Sequence, residues 1–331
     1  MLRIVYATDM GYLMPTRVSA SSALAWASDR SEIVIYVLDC GIEDSAWEEF
    51  ACALRTRFGE SFGLHRVSVD MARFSALRGW TNDSKGAYAR LLIPELLPEA
   101  DWCVYADGDT LFTDDPLKLQ GLWKGDCALM GHQDDFDEKQ VAWYREHSLA
   151  WHDDTHICSG FMLMNLEWFR AHGATDRCLE LLKRHPDCPC VDQDALNVVC
   201  ENRIKLLPDE WGVLAYTLHG CAKGGCLHYG GTPPWKAWRP YARRHRILLS
   251  SARRLWLLFA GRVLHRRPWR IIGCSARDYF RASALTWISI QVMRLLNAVP
   301  LKPLRHRYDV ALHEVWSQRE IRALLPGGMC F

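Results

Sequence analysis

The first hundred residues alternate between two patterns of hydrophobic and polar positions. Short runs of β-branched and aromatic residues are typical of buried strands, and longer segments carry apolar residues at helical spacing. The predicted strands cover 2–7, 32–38, 63–69 and 101–106, and the predicted helices cover 15–29, 45–58 and 86–97. This order predicts an α/β fold with a mostly parallel central sheet flanked by helices.

The same patterns continue along the next hundred residues. Strands are predicted at 127–130, 157–165 and 203–207, and helices at 167–184 and 191–199. The polar stretch 133–146 contains many acidic residues, for which a solvated loop or helix is favoured over a mobile flap. Parallel sheets of this type bind ligands at the carboxyl ends of their strands, so we expect functional residues there.

The predicted strand at 101–106 ends in Asp107-Gly108-Asp109. Two carboxylates at positions i and i+2 of an extended backbone point the same way. Such like charges repel each other unless a cation lies between them, and carboxylate oxygens suit Mg²⁺ or Mn²⁺. A solvated Asp-Gly turn is the alternative interpretation. By itself the motif favours a divalent cation at the end of a strand, and it indicates no more than that.

Composition places the chain among globular proteins. Its 331 residues are 49% hydrophobic, enough for one large domain with an appendage. The first strand begins at residue 2, and no uncharged apolar run reaches the length of a spanning helix, so we expect a cytoplasmic protein without a signal peptide. The 13 cysteines lack regular spacing, which predicts reduced thiols rather than disulfides.

Charge is distributed unevenly along the chain. Of 40 Lys and Arg and 39 Asp and Glu residues, 18 basic and 4 acidic residues lie from Arg239 onward. Arginines there alternate with Trp and Leu, as in Arg253–Phe259, a composition that suits the headgroup region of an anionic membrane. We therefore divide the chain into 1–238 and a basic helical segment, 239–331, that associates with the inner face of the membrane. An ordinary helical subdomain is the main alternative, and no nucleic-acid partner is expected.

Five landmarks along the chain resemble glycosyltransferase family 8, in particular its bacterial lipopolysaccharide galactosyl- and glucosyltransferases. They follow the family's order at comparable separations: Ile4–Tyr12, Tyr88-Ala89-Arg90, Asp107-Gly108-Asp109, Asp192-Gln193-Asp194 and His228-Tyr229-Gly230-Gly231. The resemblance implies a GT-A-type fold. It also implies metal-dependent transfer of galactose or glucose from a UDP-sugar to a cell-surface glycan or glycolipid, with retention at the anomeric carbon.

The resemblance assigns roles to the residues at the first, third and last landmarks. Asp9 would accept a hydrogen bond from the uracil base, and Tyr12 would stack on its ring. Asp107, Asp109 and His228 would ligate Mn²⁺, with Mg²⁺ as the alternative ion.

Further roles concern the donor sugar and its diphosphate. Asp192 would hold sugar hydroxyls and Gln193 would lie near the reacting carbon, with front-face attack guided by the leaving phosphate as the preferred route to retention. The alternative for this landmark is a capped helix with exposed Asp192 and Asp194. The other donor-binding residues implied are Arg90, Gly108, Ser159, Gly160, Gly231 and Lys236.

Two positions depart from the family pattern. Cys158 stands where the family has asparagine, which predicts a different contact with the donor sugar. Lys236 follows Trp235, whereas the family's lysine precedes its tryptophan. A non-catalytic protein that binds a UDP-sugar is therefore one alternative. A metal-dependent nucleotidyltransferase is another, but residues 8–16 lack the basic glycine-rich loop that it would need for phosphate.

Overall fold

The structure is a computed structural model that describes residues 1–79, 84–134, 138–152, 154–215, 225–231, 233–236, 251–274, 276–277 and 279–280. Its strands are β1 (Leu2–Thr8), β2 (Ile33–Asp39), β3 (Gly63–Ser68), β4 (Trp102–Ala106), β5 (Thr110–Phe112), β6 (Leu129–Gln133), β7 (Ile157–Asn165), β8 (Ile204–Leu206), β9 (Trp211–Leu214) and β10 (Cys226–His228). Its α-helices are α1 (Leu13–Trp26), α2 (Asp44–Phe58), α3 (Ile93–Leu96), α4 (Lys118–Leu122), α5 (Glu138–Glu146), α6 (Leu166–Ala171), α7 (Ala174–Arg184), α8 (Asp192–Val199), α9 (Ser251–Val263) and α10 (Pro268–Ile271).

A central sheet of seven strands in the order β3-β2-β1-β4-β7-β6-β8 organises the described residues. Strands β3, β2, β1 and β4 are parallel neighbours, and β6 is parallel to β8. Strand β7 runs antiparallel to both β4 and β6. The predicted α/β fold with a mostly parallel sheet flanked by helices is confirmed.

The sheet is buried on both faces because successive side chains of each strand point to opposite sides. Ile4 of β1 and Val104 of β4 belong to one apolar cluster, whereas Val5 and Tyr105 belong to the other. This explains why the strand sequences are continuous apolar runs rather than alternating ones. Asp107 follows Tyr105 by two positions, so the same alternation directs its side chain toward the face of the sheet that Tyr105 occupies.

The strand order brings three segments to one edge of the sheet. The chain order reverses beside β1, whose neighbours are β2 and β4, so the carboxyl ends of β1 and β4 lie side by side. Because β7 is antiparallel to β4, its first residues, Ile157–Gly160, lie at that same edge. Asp9, Asp107 and the start of β7 therefore converge at the switch point of the sheet, where ligands bind in such folds.

A small second sheet, in the order β5-β10-β9, brings His228 of β10 close to Asp107 at this edge. Strand β10 runs antiparallel to β5, and the register pairs His228 with Thr110. The sequence analysis did not predict this sheet. Its strands have three or four residues each, too few for a recognisable alternation.

Two predicted helices differ in detail from the structure. The segment 86–97 begins as a 3₁₀ helix, Gly86–Leu92, before the single turn of α3. The segment 167–184 is two helices, α6 and α7, because Gly173 adopts a left-handed conformation with φ of 56° between them. Within the polar stretch 133–146, helix α5 has formed with Trp143 and Tyr144 buried, and residues 135–137 lie outside the described part.

Helix α9 of the basic C-terminal segment packs against the body. Leu255, Trp256, Leu257 and Phe259 are buried in an apolar cluster with residues of α1 and β10. Arg253 donates hydrogen bonds to the carbonyl oxygens of Pro234 and Lys236, at 3.0 and 2.8 Å. The apolar side of this helix is thus covered by protein. Most of 239–331 lies outside the described residues.

The described residues also address two expectations from composition. Their 11 cysteines are all free thiols. None of their helices combines the length and the apolar character needed to cross a bilayer.

Candidate active site

Asp107, Asp109 and His228 meet at the carboxyl edge of the sheet. The imidazole Nε2 of His228 lies 3.4 Å from Asp109 Oδ1 and 3.7 Å from Asp107 Oδ2. One ligand atom from each of the three lies within 4.8 Å of the others, so a single cation can contact all of them. The pairing of β10 with β5 creates this proximity, and the N–H of Tyr229 donates to the carbonyl oxygen of Asp109 at 2.8 Å.

The start of β7 supports the imidazole from the other side. A Cβ added at Gly160 would overlap the ring of His228, so only glycine leaves room for the histidine. The Sγ of Cys158 lies 3.5 Å from Nδ1 of His228. Cys158 therefore contacts the ring nitrogen that faces away from the two carboxylates, and its side chain touches the histidine directly.

Electrostatics at His228 favour a protonated ring when no cation is bound. Burial lowers its pKa, but Cys158 and Asp109 raise it more, and the net pKa lies well above the ordinary value. A cation between the carboxylates would replace this proton. The cluster is therefore a site for positive charge.

Arg90 connects the carboxylates of Asp107 and Asp192, which belong to two different landmarks. It is 4% exposed, and its Nη2 donates to Asp107 Oδ1 at 2.9 Å while its Nε lies 3.1 Å from Asp192 Oδ2. Its Nη1 donates to the carbonyl oxygen and the hydroxyl of Ser159. Burial lowers the pKa of Arg90, but Asp107 and Asp192 outweigh burial and raise it, so the guanidinium stays charged. Because the guanidinium is buried, these ion pairs lie inside the protein rather than on the surface of a helix.

Asp192 and Gln193 form the first turn of α8. They are 3% and 9% exposed, which excludes the exposed capped helix that the sequence left open. Gln193 is held at both ends of its amide, accepting from the N–H of Ser159 at 3.1 Å and donating to Asp134 Oδ2 at 2.6 Å. Val191 precedes them with φ of 44°, a strained conformation for a β-branched residue. This turn directs α8 into the site.

Asp194, the third residue of the Asp192-Gln193-Asp194 landmark, is fully buried, and its side chain points toward helix α5. Its carboxylate accepts hydrogen bonds from Gln140, Tyr144 and the N–H of Cys190, at 2.6, 3.0 and 2.7 Å. It therefore joins α8 to α5 and supports the site from behind.

Asp9 and Tyr12 lie just after β1. Asp9 Oδ1 accepts hydrogen bonds from the N–H groups of Gly11 and Tyr12, which shapes the turn into α1. Tyr12 is 40% exposed, and its ring forms an edge contact with the ring of Trp235 at a centroid distance of 5.6 Å. Burial, and then the charges of Asp109 and Asp107, raise the pKa of Tyr12.

The remaining predicted residues occupy the same region to different degrees. A Cβ at Gly108 would overlap the Thr16 hydroxyl, so α1 approaches the Asp-Gly-Asp turn closely. Gly231 is exposed with φ of 78°, which favours glycine. Lys236 is exposed beside Trp235, and its backbone is held by Arg253.

Two site residues were missed by the sequence analysis. The Tyr105 hydroxyl donates to Asp107 Oδ1 at 2.6 Å, and its ring lies 4.4 Å from the Arg90 guanidinium. Its position two residues before Asp107 on one strand was a signal that could have found it. Asp134, the partner of Gln193, had no such signal because it lies in a generally acidic stretch.

Comparisons with known proteins agree with this geometry. The family described as Glycosyl transferase family 8 matches residues 3–239. General stress protein A of Bacillus subtilis (strain 168) is 25% identical over 224 residues, which are 66% of this chain and 75% of that protein.

Solved structures share the fold. The galactosyltransferase LgtC, solved with donor and acceptor sugar analogs, has a TM-score of 0.65 and 24% identity, covering 79% of this chain and 96% of its own. The bifunctional glycosyltransferase WbbM in its apo form has a TM-score of 0.60 and 17% identity, covering 80% of this chain and 51% of its own.

The fold and the site define a glycosyltransferase of the GT-A type. The chain belongs to glycosyl transferase family 8. Its family implies a nucleotide-sugar donor and a glycan acceptor, and the Asp107, Asp109 and His228 cluster is a candidate metal site.

We expect Asp192→Asn to stabilise the metal-free protein at neutral pH. Burial raises the pKa of Asp192 from its ordinary value near 4 to about 6, although Arg90 partly opposes the shift. A folded-state pKa above the unfolded value means that stability falls as the pH rises through this window. The variant should gain about 1–3 kcal/mol in free energy of unfolding at pH 7.5 and little at pH 4, measured by denaturant titration.

Asp194→Asn is the matched control on the same helix. Hydrogen bonds and His156 outweigh burial and lower the pKa of Asp194, so its carboxylate contributes stability above its unfolded pKa. This variant should lose stability at pH 7.5. Equal changes in stability for Asp192→Asn and Asp194→Asn would contradict the opposite pKa shifts assigned to the two carboxyl groups.

Proposed function

We propose that this enzyme transfers galactose or glucose from a UDP-sugar to a cell-surface glycan or glycolipid, using a divalent cation and retaining the anomeric configuration. The observation that carries the proposal is the convergence of Asp107, Asp109 and His228 beside Arg90 and the first turn of α8.

The three candidate metal ligands, Asp107, Asp109 and His228, fit Mn²⁺, with Mg²⁺ as the alternative ion. Two carboxylate oxygens and one imidazole nitrogen are ligands that Mn²⁺ accepts, and the hard oxygens also suit Mg²⁺. Asp109 and His228 are buried and Asp107 is partly exposed, and a positive charge bound between them would offset the two aspartates. When bound, the ion would neutralise the charge that develops on the departing nucleotide diphosphate.

The nucleotide would be recognised at the end of β1. Tyr12 offers a partly exposed aromatic ring beside the acidic cluster, a surface on which a base can stack. Asp9 lies in the same turn and would contact the base edge. Because the turn is closed by hydrogen bonds to Asp9, its shape is set before the donor arrives.

The residues of α8 would position the donor sugar. Asp192 is held in place by Arg90 and Ser159, and Gln193 by Ser159 and Asp134. The carboxylate of Asp192 is paired with a guanidinium, which makes it a hydrogen-bond acceptor for sugar hydroxyls rather than a free nucleophile. This supports front-face attack by the acceptor, in which the leaving phosphate oxygen receives the acceptor's proton.

Thermal unfolding with UDP, with and without Mn²⁺, tests the donor assignment. Ligand at about 100 times its dissociation constant adds about 2.7 kcal/mol to stability, which shifts the midpoint of a domain this large by a few degrees. We expect the shift of the unfolding midpoint with UDP to require Mn²⁺ or Mg²⁺. We also expect release of UDP from UDP-galactose or UDP-glucose to require the same ion. Absence of a shift under any metal would overturn the proposal. Binding without turnover would favour the non-catalytic alternative.

We propose in addition that the C-terminal segment attaches the enzyme to the inner face of the membrane, near a lipid-linked acceptor. The apolar side of α9 faces the protein, so this attachment would rest on charge. Arg266, Arg267 and Arg270 are exposed together around the start of α10. A polybasic surface of this kind is attracted to anionic headgroups.

Replacing Arg266, Arg267 and Arg270 with glutamine should weaken binding to phosphatidylserine vesicles by about fivefold per arginine, as measured by cosedimentation. The control carries glutamine at three exposed basic residues of α7, Arg177, Lys183 and Arg184. If both triple variants bind as the parent does, the surface around α10 is not the membrane contact.

A further inference from the structure

A second group of potential metal ligands lies away from Asp107, Asp109 and His228. Within the described residues, two groups of His and Asp side chains bring their ligand atoms within 4.8 Å of one another, and the second consists of His147, His185 and Asp187. His147 follows α5, His185 ends α7, and Asp187 lies in the loop before α8. The three residues come from two parts of the chain that meet only in the folded protein.

The orientation of His147 leaves one ring nitrogen directed at the cluster. Its Nδ1 lies 2.9 Å from the carbonyl oxygen of Trp143, so Nδ1 carries the proton and donates it. Its other ring nitrogen, Nε2, lies 3.8 Å from Asp187 Oδ2. A histidine held through one nitrogen by a carbonyl oxygen is the arrangement commonly found behind metal-ligating imidazoles.

Asp187 and His185 complete the group. The indole Nε1 of Trp143 donates to Asp187 Oδ2 at 2.8 Å, which fixes the carboxylate although it is 59% exposed. The rings of His147 and His185 are 4.8 Å apart at nearly a right angle. A ring nitrogen of each imidazole lies within 4.8 Å of a carboxylate oxygen of Asp187.

We propose that His147, His185 and Asp187 form a binding site for a divalent transition metal, with Zn²⁺ as the ion that fits best. Two imidazoles and one carboxylate form a set of three ligands that Zn²⁺ binds with water in the remaining position. Mg²⁺ and Ca²⁺, which prefer all-oxygen shells, are disfavoured. The site shares no residue with the acidic cluster and does not depend on the identity of the sugar donor.

A metal here would cross-link the two segments that support α8. One segment is α5, whose Gln140 and Tyr144 bind Asp194, and the other is the loop 185–191 that leads into Asp192. Since the first turn of α8 begins at the strained Val191, its position depends on this loop. The site is therefore a structural clamp behind the first turn of α8.

The test is titration of the full-length, metal-free Asp109→Asn variant, in which the first metal site is disabled, with Co²⁺ and then Zn²⁺. We expect visible absorption from Co²⁺ bound to nitrogen and oxygen, displacement of Co²⁺ by Zn²⁺, and a rise of a few degrees in the unfolding midpoint with Zn²⁺. His147→Gln and His185→Gln should each weaken this binding at least tenfold and remove the rise. Asp187→Asn, which keeps an oxygen for Trp143, should weaken binding while leaving the midpoint of the metal-free protein unchanged.

His172→Gln is the matched control. His172 also has its Nδ1 near a tryptophan carbonyl four residues earlier, 2.8 Å from that of Trp168, and its ring lies 4.4 Å from the Trp168 ring. It has the same local contacts as His147 but is not part of the cluster. Unchanged metal affinity in His147→Gln or Asp187→Asn would overturn the proposal. So would near-ultraviolet absorption typical of thiolate ligands, which would assign the metal to cysteines.

Discussion

Asp109→Asn is expected to reduce the turnover of UDP-sugar about a thousandfold, since about 4 kcal/mol of transition-state stabilisation would be lost with the cation. Asparagine preserves the shape of the side chain but removes a charged oxygen 3.4 Å from His228 Nε2. The rate of UDP release should fall, and the midpoint shift with UDP and Mn²⁺ should disappear. Both are measured on protein whose unfolding without ligand matches the parent.

Asp101→Asn is the control for Asp109→Asn. Asp101 precedes β4 at its opposite end, and its side chain is exposed. This variant should retain full turnover and the full shift. If Asp109→Asn keeps the activity of the parent, the acidic cluster does not serve catalysis and the proposed metal dependence is wrong.

Gly160→Ala is expected to remove most activity by displacing His228. The added methyl group would overlap the imidazole, and overpacking of this kind typically costs about 1–3 kcal/mol in stability. The unfolding midpoint should fall. The affinity for Mn²⁺ should also fall, because the displaced imidazole no longer lies beside the two carboxylates. Denaturant titration and metal titration measure the two effects separately.

A double-mutant cycle identifies the source of the strain in Gly160→Ala. If the clash is with His228, the double variant Gly160→Ala/His228→Ala should recover the stability lost by the first substitution, because the ring is gone. Gly121→Ala in helix α4, where a Cβ would meet nothing within 4 Å, should be neutral or slightly stabilising. Additive losses in the double variant would contradict the steric explanation.

The main architecture was predictable because it follows from local patterns. Continuous apolar runs predicted β1, β2, β4 and β7, and each lies within one or two residues of its expected bounds. The Asp-Gly-Asp motif at the end of a strand predicted ligands on one side of an extended backbone, and the order of five landmarks pointed to the family. The strand and motif signals depend on residues close together in the sequence, whereas the order of the landmarks spans residues 4–231.

Other features could not be predicted in this way. The short strands of the second sheet have no visible periodicity, so the contact of His228 with Asp109 depends on long-range pairing. The amphipathic pattern of α9 indicates an apolar side but not its partner, which is the protein body for Trp256. The polar stretch 133–146 showed neither the buried side of α5 nor the bond from Gln193 to Asp134.

The sequence by itself determined most strands of the central sheet and their flanking helices, the family and the types of residue available for chemistry. Periodicity and motif spacing encode these locally, within a few residues of each position. Only the tertiary structure decided which of these groups meet: Arg90 with two carboxylates, Cys158 with His228, and His147 with Asp187. Such contacts join distant segments through sheet register and helix packing, and no local pattern of side chains specifies those distances.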